Sequence, residues 1–285
     1  MRSRLQPASA IIGDGPPGLN YQQAAWRRLS AGRRDDVQPD KTEDSLAAIY
    51  ADFVTLWQAA PMPAARQKVQ SRAEDADAVA VALAWGWMVR VSRTGEAAML
   101  LEEAGFSDEA APLLRSMLEH SIRLRWGAAA GSDFVEAALR MRAASLRIIM
   151  REQISFKYDP EVIAKMEALI GEQDEAFSGR NNLHRLKDVV DTDPEGLGVM
   201  YQAWLLETQI SHPTLMSAAS YFTRHDGGFH LAQQAAEQDS VGLAACQAVL
   251  GAVTSYSTIS GLEDYFNPRL ESLLIRLAPF MFDRS

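Results

Sequence analysis

The chain has 285 residues, 47% hydrophobic and 23% charged, so it is long enough to bury a sizeable core and has the composition of a globular protein. Its net charge of −9 and pI of about 5.1 argue against a long, dedicated nucleic-acid groove, although a local basic site is compatible with them. The single cysteine, Cys246, excludes an intrachain disulfide and a thiolate metal cluster, and we expect no metal and no cofactor.

The first 39 residues differ in composition from the rest of the chain. A Gly/Pro cluster at 13–18 and a charged stretch at 33–36 can bury little apolar surface. We therefore predict a poorly ordered N-terminal tail over 1–39 and one helical domain over 40–285. The apolar stretch near the N-terminus is too short for a signal peptide, and no segment is expected to reach the uncharged apolar length that spans a bilayer. The sequence thus predicts a cytoplasmic protein without a membrane partner.

Strong helix formers are abundant and runs of β-branched residues are nearly absent, which predicts an all-α protein. Apolar periodicity and helix start and stop signals place the helices, and a capping box at 40–43 begins the first. In chain order we expect helices at 40–61, 64–91, 95–105, 107–126, 133–156, 159–179, 183–190, 193–212, 231–264 (interrupted near 239–240) and 269–282, with a loop at 223–230. Short connections between them predict a single multi-helix bundle.

The predicted helix at 107–126 is the one most suited to the centre of the bundle. Its apolar residues lie on more than one side, and Ser107 is a candidate N-cap. This same helix carries Arg115, Glu119 and His120, and charged groups in a buried helix need partners. Arg115 and Glu119 are four residues apart and could neutralise each other. His120 lies about 140° around the axis from Arg115, so one regular helix does not aim both side chains at one atom.

Arg115 and His120 fit the Arg-x4-6-His pattern, and the chain in this respect resembles the HEPN superfamily of all-α bundles. Members dimerise, and many are metal-independent ribonucleases whose Arg and His line a cleft at the dimer interface. The resemblance implies that His120 acts as general acid or base on the ribose 2′-hydroxyl or the leaving oxygen. It also implies that Arg115 stabilises the charge on the reacting phosphate.

A second resemblance covers roughly 83–222. The run Arg115-Ser116-Met117-Leu118-Glu119, followed by Tyr201 and His212-Pro213, is similar to an uncharacterised family of bacterial all-helical proteins. Its members carry an R-S-L-L-E helix and a downstream Y…S-x-x-x-H-P segment. Thr208 stands where that segment has its earlier serine, which puts this part of the motif in doubt. The resemblance implies architecture and candidate polar residues, and no activity.

Together these patterns give Arg115, Glu119, His120 and His212 as candidate catalytic residues. The leading interpretation is a HEPN-like ribonuclease or a toxin- or defence-type effector, with RNA as partner and a homodimer as the assembly. One alternative is a non-catalytic bundle that binds a protein or a ligand. Another is an enzyme of other chemistry, built on a buried pocket of Arg115, Glu119 and His212. In a purely structural interpretation, these side chains satisfy one another and hold the helices together.

Overall fold

The computed structural model describes residues 45–61, 72–131, 133–151, 159–176, 186–225, 228–232 and 241–282. Within these ranges nearly all of the backbone is helical, which confirms the all-α prediction. The predicted tail at 1–39 and the capping box at 40–43 lie outside the described residues. The elements are α1 (Leu46–Gln58), α2 (Arg72–Glu103), a 3₁₀ turn (Asp108–Ala110), α3 (Ala111–Ala130), α4 (Asp133–Arg151), α5 (Pro160–Ala176), α6 (Leu186–Val190), α7 (Pro194–Ser211), α8 (Leu215–Ala219), β1 (Phe222–His225), β2 (Gly228–Leu231), α9 (Val241–Ser260) and α10 (Glu263–Phe282).

Helix starts follow the expected capping chemistry where a polar side chain precedes the helix. The Ser45 hydroxyl accepts a hydrogen bond from the amide of Ala48 at 3.1 Å and begins α1. Asp193 accepts one from the amide of Gly196 at 3.0 Å and begins α7, as the Asp-Pro signal predicts. α7 then ends immediately before His212, which confirms the predicted stop.

α2 is one continuous helix, so the predicted break before Gly95 is wrong. Gly95 marks a close approach between helices instead of a helix end. A Cβ at this position would lie 2.0 Å from Tyr50 Oη and 2.6 Å from Met117 Cε. The predicted end of the segment is right, because Gly105 has a φ of +81° and follows the last turn of α2.

α3 lies at the centre of the bundle, as the sequence predicts, and packs against α2, α7 and α9. Eleven of its 20 residues are buried, which is more than one face of a helix can supply. The predicted N-cap at Ser107 is wrong: its side chain makes no capping bond, and the 3₁₀ turn leads directly into α3. Pro112 lies in the first turn of α3, where the amide it lacks has no helical partner to lose.

α9 is the second core helix and packs against α1, α2, α3 and α10. The Ser121 hydroxyl of α3 donates to Ala248 O at 2.6 Å and links the two central helices. By length and composition α9 could cross a membrane, so the prediction that no segment reaches this length is wrong. Its apolar window is 78% buried in the bundle, however, as in the core helix of a soluble protein. Cys246 is fully buried within it, as predicted.

The segment at 223–230, predicted as a loop, contains a β-hairpin. Phe222 of β1 pairs with Leu231 of β2, and Thr223 pairs with His230. The glycines at 227–228 suggested a loop, but Gly228 is the first residue of β2 and pairs with His225. The predicted start of a helix at 231 is wrong, because Leu231 ends β2. The helix α9 starts at Val241, immediately after the interruption predicted near 239–240.

The close approach at Gly95 predicts a position-specific loss of stability. Gly95→Ala would place a methyl group against the buried Tyr50, whose hydroxyl donates to Ser92 O at 2.7 Å. We expect the free energy of unfolding to fall by about 1–3 kcal/mol, the usual cost of overpacking. Gly86→Ala on the same helix has nothing within 4 Å of the new Cβ and should be neutral or stabilising, by up to about 1 kcal/mol. Urea denaturation followed by circular dichroism measures both, and equal losses would contradict the prediction.

Candidate functional site

One face of α3 carries Ser116, Glu119, His120 and Arg123, because residues three and four apart lie side by side on a helix. His120 Nδ1 lies 2.7 Å from Ser116 O. Its ring packs edge-on against Trp87 of α2, with 6.0 Å between the ring centroids. A carbonyl oxygen only accepts hydrogen bonds, so Nδ1 carries the proton. In the neutral ring, Nε2 is therefore the nitrogen that can accept a hydrogen bond or a proton.

Glu119 forms an ion pair with Arg123, one turn further along α3. Burial raises the pKa of Glu119, but the charge and the hydrogen bond of Arg123, with the charges of His120 and Arg115, outweigh it and hold the pKa below its ordinary value. The carboxylate is therefore ionised at neutral pH. The sequence pointed to Arg115 as the direct partner of Glu119. The structure gives that place to Arg123, which is only 9% exposed.

The pKa of His120 lies below its ordinary value, chiefly because burial disfavours the charged imidazolium. The charges of Arg123 and Arg90 lower it further, whereas the bond to Ser116 O and the charge of Glu119 raise it. The ring is thus neutral at neutral pH, with two guanidinium groups near it. A neutral imidazole of fixed orientation beside cations can take a proton while an anion is bound next to it.

Arg115 lies on a different face of α3, toward α7. Its guanidinium carbon is 5.5 Å from the centroid of the Trp204 ring, a cation–π contact. His120 instead contacts Trp87 on the side of α2. This confirms the expectation that a five-residue spacing directs the two side chains apart. Within one chain, the Arg-x4-His pair does not converge on one atom.

Two contacts fix the relative direction of α3 and α7. Near the end of α3, Arg125 Nε and Nη2 each donate to Asp193 Oδ2 at 3.2 Å, immediately before α7 begins. Near the start of α3, Arg115 lies over Trp204, in the second half of α7. The two helices therefore run antiparallel, and later residues of α7 lie beside earlier residues of α3.

His212 is exposed at the C-terminal end of α7. It follows Trp204 by eight residues, which is about 12 Å along the direction of α7 at 1.5 Å per residue. Because α3 and α7 are antiparallel, His212 lies beyond Arg115 in the direction of the start of α3. Glu119 lies on the other side of Arg115, toward the end of α3. The predicted pocket of Arg115, Glu119 and His212 is therefore not formed.

Two acidic side chains that the sequence did not single out are buried where the 3₁₀ turn meets α7. Asp108 is 7% exposed and Glu207 8% exposed. Burial, and after it the charge of Asp108, raises the pKa of Glu207 to about 7. A signal for Glu207 exists, since it follows Trp204 by three residues and shares its core-facing side of α7. Asp108 gives none, because acidic residues are ordinary at the start of a helix.

A family of unknown function, DUF5677, matches residues 81–229, which is more than half of the 285 residues. The chain belongs to this family. The DUF5677 match confirms the predicted membership of an uncharacterised family and contains all four candidate residues, Arg115, Glu119, His120 and His212. The HEPN-like link stays a prediction. No curated protein and no solved structure matches the chain.

The DUF5677 match extends from the middle of α2 to β2 and ends before α9. The bundle nevertheless depends on α9, because this helix covers one side of α3. Residues outside the match therefore complete the environment of the central helix. They do not supply the candidate site residues, which all lie on elements within it.

The buried Glu207 carboxyl predicts a pH-dependent stability. Its pKa is about 7 in the folded protein against an ordinary value of 4.5, so the folded state keeps a proton that the unfolded chain releases as the pH rises through this window. Stability should therefore fall between pH 4.5 and 7, by roughly 3 kcal/mol if Glu207 acted alone. Urea denaturation across this range, in buffer containing a chelator, measures the loss.

The matched variants are Glu207→Gln and Glu167→Gln, the latter at an exposed position of α5. Glu207→Gln should remove this part of the pH dependence because the amide does not titrate. Glu167→Gln should leave it unchanged. If the slope of stability against pH were the same in all three proteins, the raised pKa of Glu207 would be refuted.

Proposed function

We propose that this DUF5677 protein is a metal-independent ribonuclease, a HEPN-like effector of the toxin or defence type, with His120 as its general base. The observation that carries the proposal is the environment of His120. The imidazole is neutral, held through Nδ1 by Ser116 O, and lies near the charges of Arg123 and Arg90. These are the properties that proton abstraction beside a bound phosphate requires.

In the proposed reaction, His120 Nε2 accepts the proton of a ribose 2′-hydroxyl. The oxygen attacks the adjacent phosphorus, a 2′,3′-cyclic phosphate forms, and the bond to the 5′-oxygen of the next nucleotide breaks. The proton passes to that leaving oxygen, so protons and charge balance without a metal ion. Arg123 and Arg90 stabilise the extra negative charge on the phosphate during the attack.

The proposal departs from the arginine assignment that the resemblance implied. Arg115 faces Trp204, whereas Arg123 and Arg90 are the cations whose charges act on His120. Arg123 is oriented by its bond to Glu119, so Glu119 is a positioning residue in this proposal. A cleft between two subunits of the predicted homodimer would enclose the RNA and is part of the proposal. His212 has no role in the reaction, because it lies away from this face.

The ribonuclease proposal predicts RNA cleavage in the presence of EDTA that depends on His120. His120→Asn should lower the cleavage rate by about 10²–10⁴-fold, the usual contribution of a general base. His212→Ala, at the exposed end of α7, should cleave like the wild type. The midpoint of the fall in the wild-type rate on the acid side should lie below pH 6.5, because the pKa of His120 is lowered from its ordinary value. Cleavage that persists in folded His120→Asn would contradict the proposal.

The second candidate is a non-catalytic helical module that binds a protein or a ligand, and one observation favours it. Among the described residues, Arg115 Nε and Trp204 Nε1 are both buried without a hydrogen-bond partner. Two unsatisfied donors lie close together between α3 and α7, since the guanidinium is over the indole ring. A ligand that supplies acceptor oxygens would satisfy both, and buried donors are seldom left without an acceptor.

Arg115→Met separates the two candidates, because it removes the charge but keeps much of the side chain. If the protein is the proposed ribonuclease, the variant should cleave RNA within about threefold of the wild-type rate, since Arg115 faces away from His120. If it is a binding module, the variant should lose any ligand that native mass spectrometry detects on the purified wild type. Loss of RNA cleavage in folded Arg115→Met would contradict the assignment of Arg123.

A further inference from the structure

Asp108 and Glu207, here called the acid pair, lie on separate elements that the fold brings together. Asp108 opens the 3₁₀ turn before α3, and Glu207 lies in the second half of α7. The antiparallel packing of α3 and α7 places the two at the same end of the interface. Asp108 is close enough to both Glu207 and Tyr221 for its charge to act on each.

The Asp108 carboxylate lacks the partners that a buried acid requires. The residue is more than nine-tenths buried. Neither Oδ1 nor Oδ2 has a hydrogen-bond partner in the part of the chain that the structure describes, and water does not reach either atom. Buried carboxylates are nearly always hydrogen-bonded or bound to a cation, because their desolvation is otherwise uncompensated. Above its pKa of about 7, the second acid, Glu207, adds to the uncompensated charge instead of relieving it.

The polar groups near the acid pair are already engaged elsewhere. The Tyr221 hydroxyl donates to Glu109 Oε1 at 2.6 Å, and not to Asp108. The hydroxyls of Thr208 and Ser211 donate to carbonyl oxygens one turn earlier in α7. The protein thus brings two acids together and uses its nearby donors for other contacts.

Arg115, the first arginine of α3, is also directed away from the acid pair. Arg115 lies over Trp204, and its Nε has no partner among the described residues. An ion pair between Arg115 and the acid pair would give partners both to the carboxylate of Asp108 and to the Nε of Arg115. The guanidinium is instead directed to the indole ring of Trp204. Arg115 of α3 therefore does not neutralise the acid pair.

We propose that the acid pair is a binding site for a hard divalent cation, Mg²⁺ or Ca²⁺, which joins the start of α3 to α7. Carboxylate oxygens from two elements, with carbonyl or hydroxyl oxygens nearby, are the ligands that these cations prefer. Over the described residues no group of three or more His, Cys, Asp and Glu could hold a metal ion, so backbone, hydroxyl or water oxygens would have to complete the shell around the two carboxylates. The site is distinct from the His120 face of α3.

The close packing around Asp108 favours a metal ion over larger cations. Neither carboxylate oxygen is reached by water, so an ammonium group of similar size would also need a rearrangement of the bundle. Mg²⁺ and Ca²⁺ ions are smaller than a water molecule, and each would take about six or more oxygen ligands at about 2.0–2.6 Å, some of them from water that enters with the ion. A cation held between the two carboxylates would stabilise the packing of α7 on the centre of the bundle.

The test uses the full chain after treatment with a chelator and dialysis. Adding CaCl₂ or MgCl₂ at pH 7.5 should raise Tm on the order of 5 °C at about a hundredfold excess over Kd. Asp108→Asn and Glu207→Gln should each weaken cation binding by about tenfold or more, since each removes an anionic ligand. Glu167→Gln, at the exposed site on α5, should respond like the wild type. A response to one cation and not the other supports the proposal and identifies the ion.

Tb³⁺, an analogue of Ca²⁺, locates the ion. Trp204 lies one turn before Glu207, so its indole should sensitise Tb³⁺ emission when tryptophan is excited. Trp204→Phe should lower this emission while Ca²⁺ still displaces Tb³⁺ at the same concentration. This variant keeps both acids, so it remains informative if either acid variant fails to fold.

Two results would overturn the proposal. The first is no change in Tm with either cation together with no sensitised emission from Tb³⁺. The second is evidence that the ion binds elsewhere on the protein. This would be an equal shift of Tm in the wild type and both acid variants, or Tb³⁺ emission that Trp204→Phe leaves unchanged. RNA cleavage in EDTA tests His120 alone, so failure of the cation site and failure of the ribonuclease proposal are distinguishable.

Discussion

The burial of α3 between α2, α7 and α9 obliges its polar side chains to find partners inside the bundle. Arg123 bonds to Glu119 on the same helix, Arg125 to Asp193 at the start of α7, and Ser121 to the backbone of α9. Asp193 also accepts from the amide of Gly196, so one carboxylate both caps α7 and neutralises a buried guanidinium. These bonds set the direction of α7 along α3, and that direction decides which side chains can meet.

The consequence for function is that α3 presents two chemically different faces. Toward α2, His120 is held by a carbonyl and lies near the charges of Arg123, Arg90 and Glu119, an environment that suits proton transfer. Toward α7, Arg115 and Asp108 have buried atoms without partners in the described part of the chain. A group that lacks partners is costly to bury and suits binding of something that supplies them. Catalysis and binding are thus proposed for different faces of one helix.

Much of the architecture could be predicted because it follows from local rules. The central position of α3 follows from its apolar residues on several sides, and the starts of α5 and α7 from their Asp-Pro pairs. The ion pair between Glu119 and Arg123 could also be predicted. On a helix, an acid four residues before a base is a more stabilising arrangement than a base four residues before an acid, which favours Arg123 over Arg115. The continuity of α2 through Gly95 could not be predicted, because the glycine is required by a tertiary contact with Tyr50. The positions of Arg115, His212 and the acid pair likewise depend on the packing of α7, which no local pattern specifies.

The arrangement at the start of α3 is difficult to explain as packing alone. An all-helical bundle could neutralise Asp108, in the 3₁₀ turn, with Arg115 of α3, seven residues later in the chain, and would then leave neither group without a partner. Here the guanidinium lies over Trp204 while the acid pair stays together, so the interface keeps positive and negative groups apart at a cost in stability. Natural sequences tend to break such local rules where a site is needed, and the cost is offset by what binds there. The two binding proposals thus concern the two sides of Trp204: a cation at the acid pair, and acceptor oxygens at Arg115.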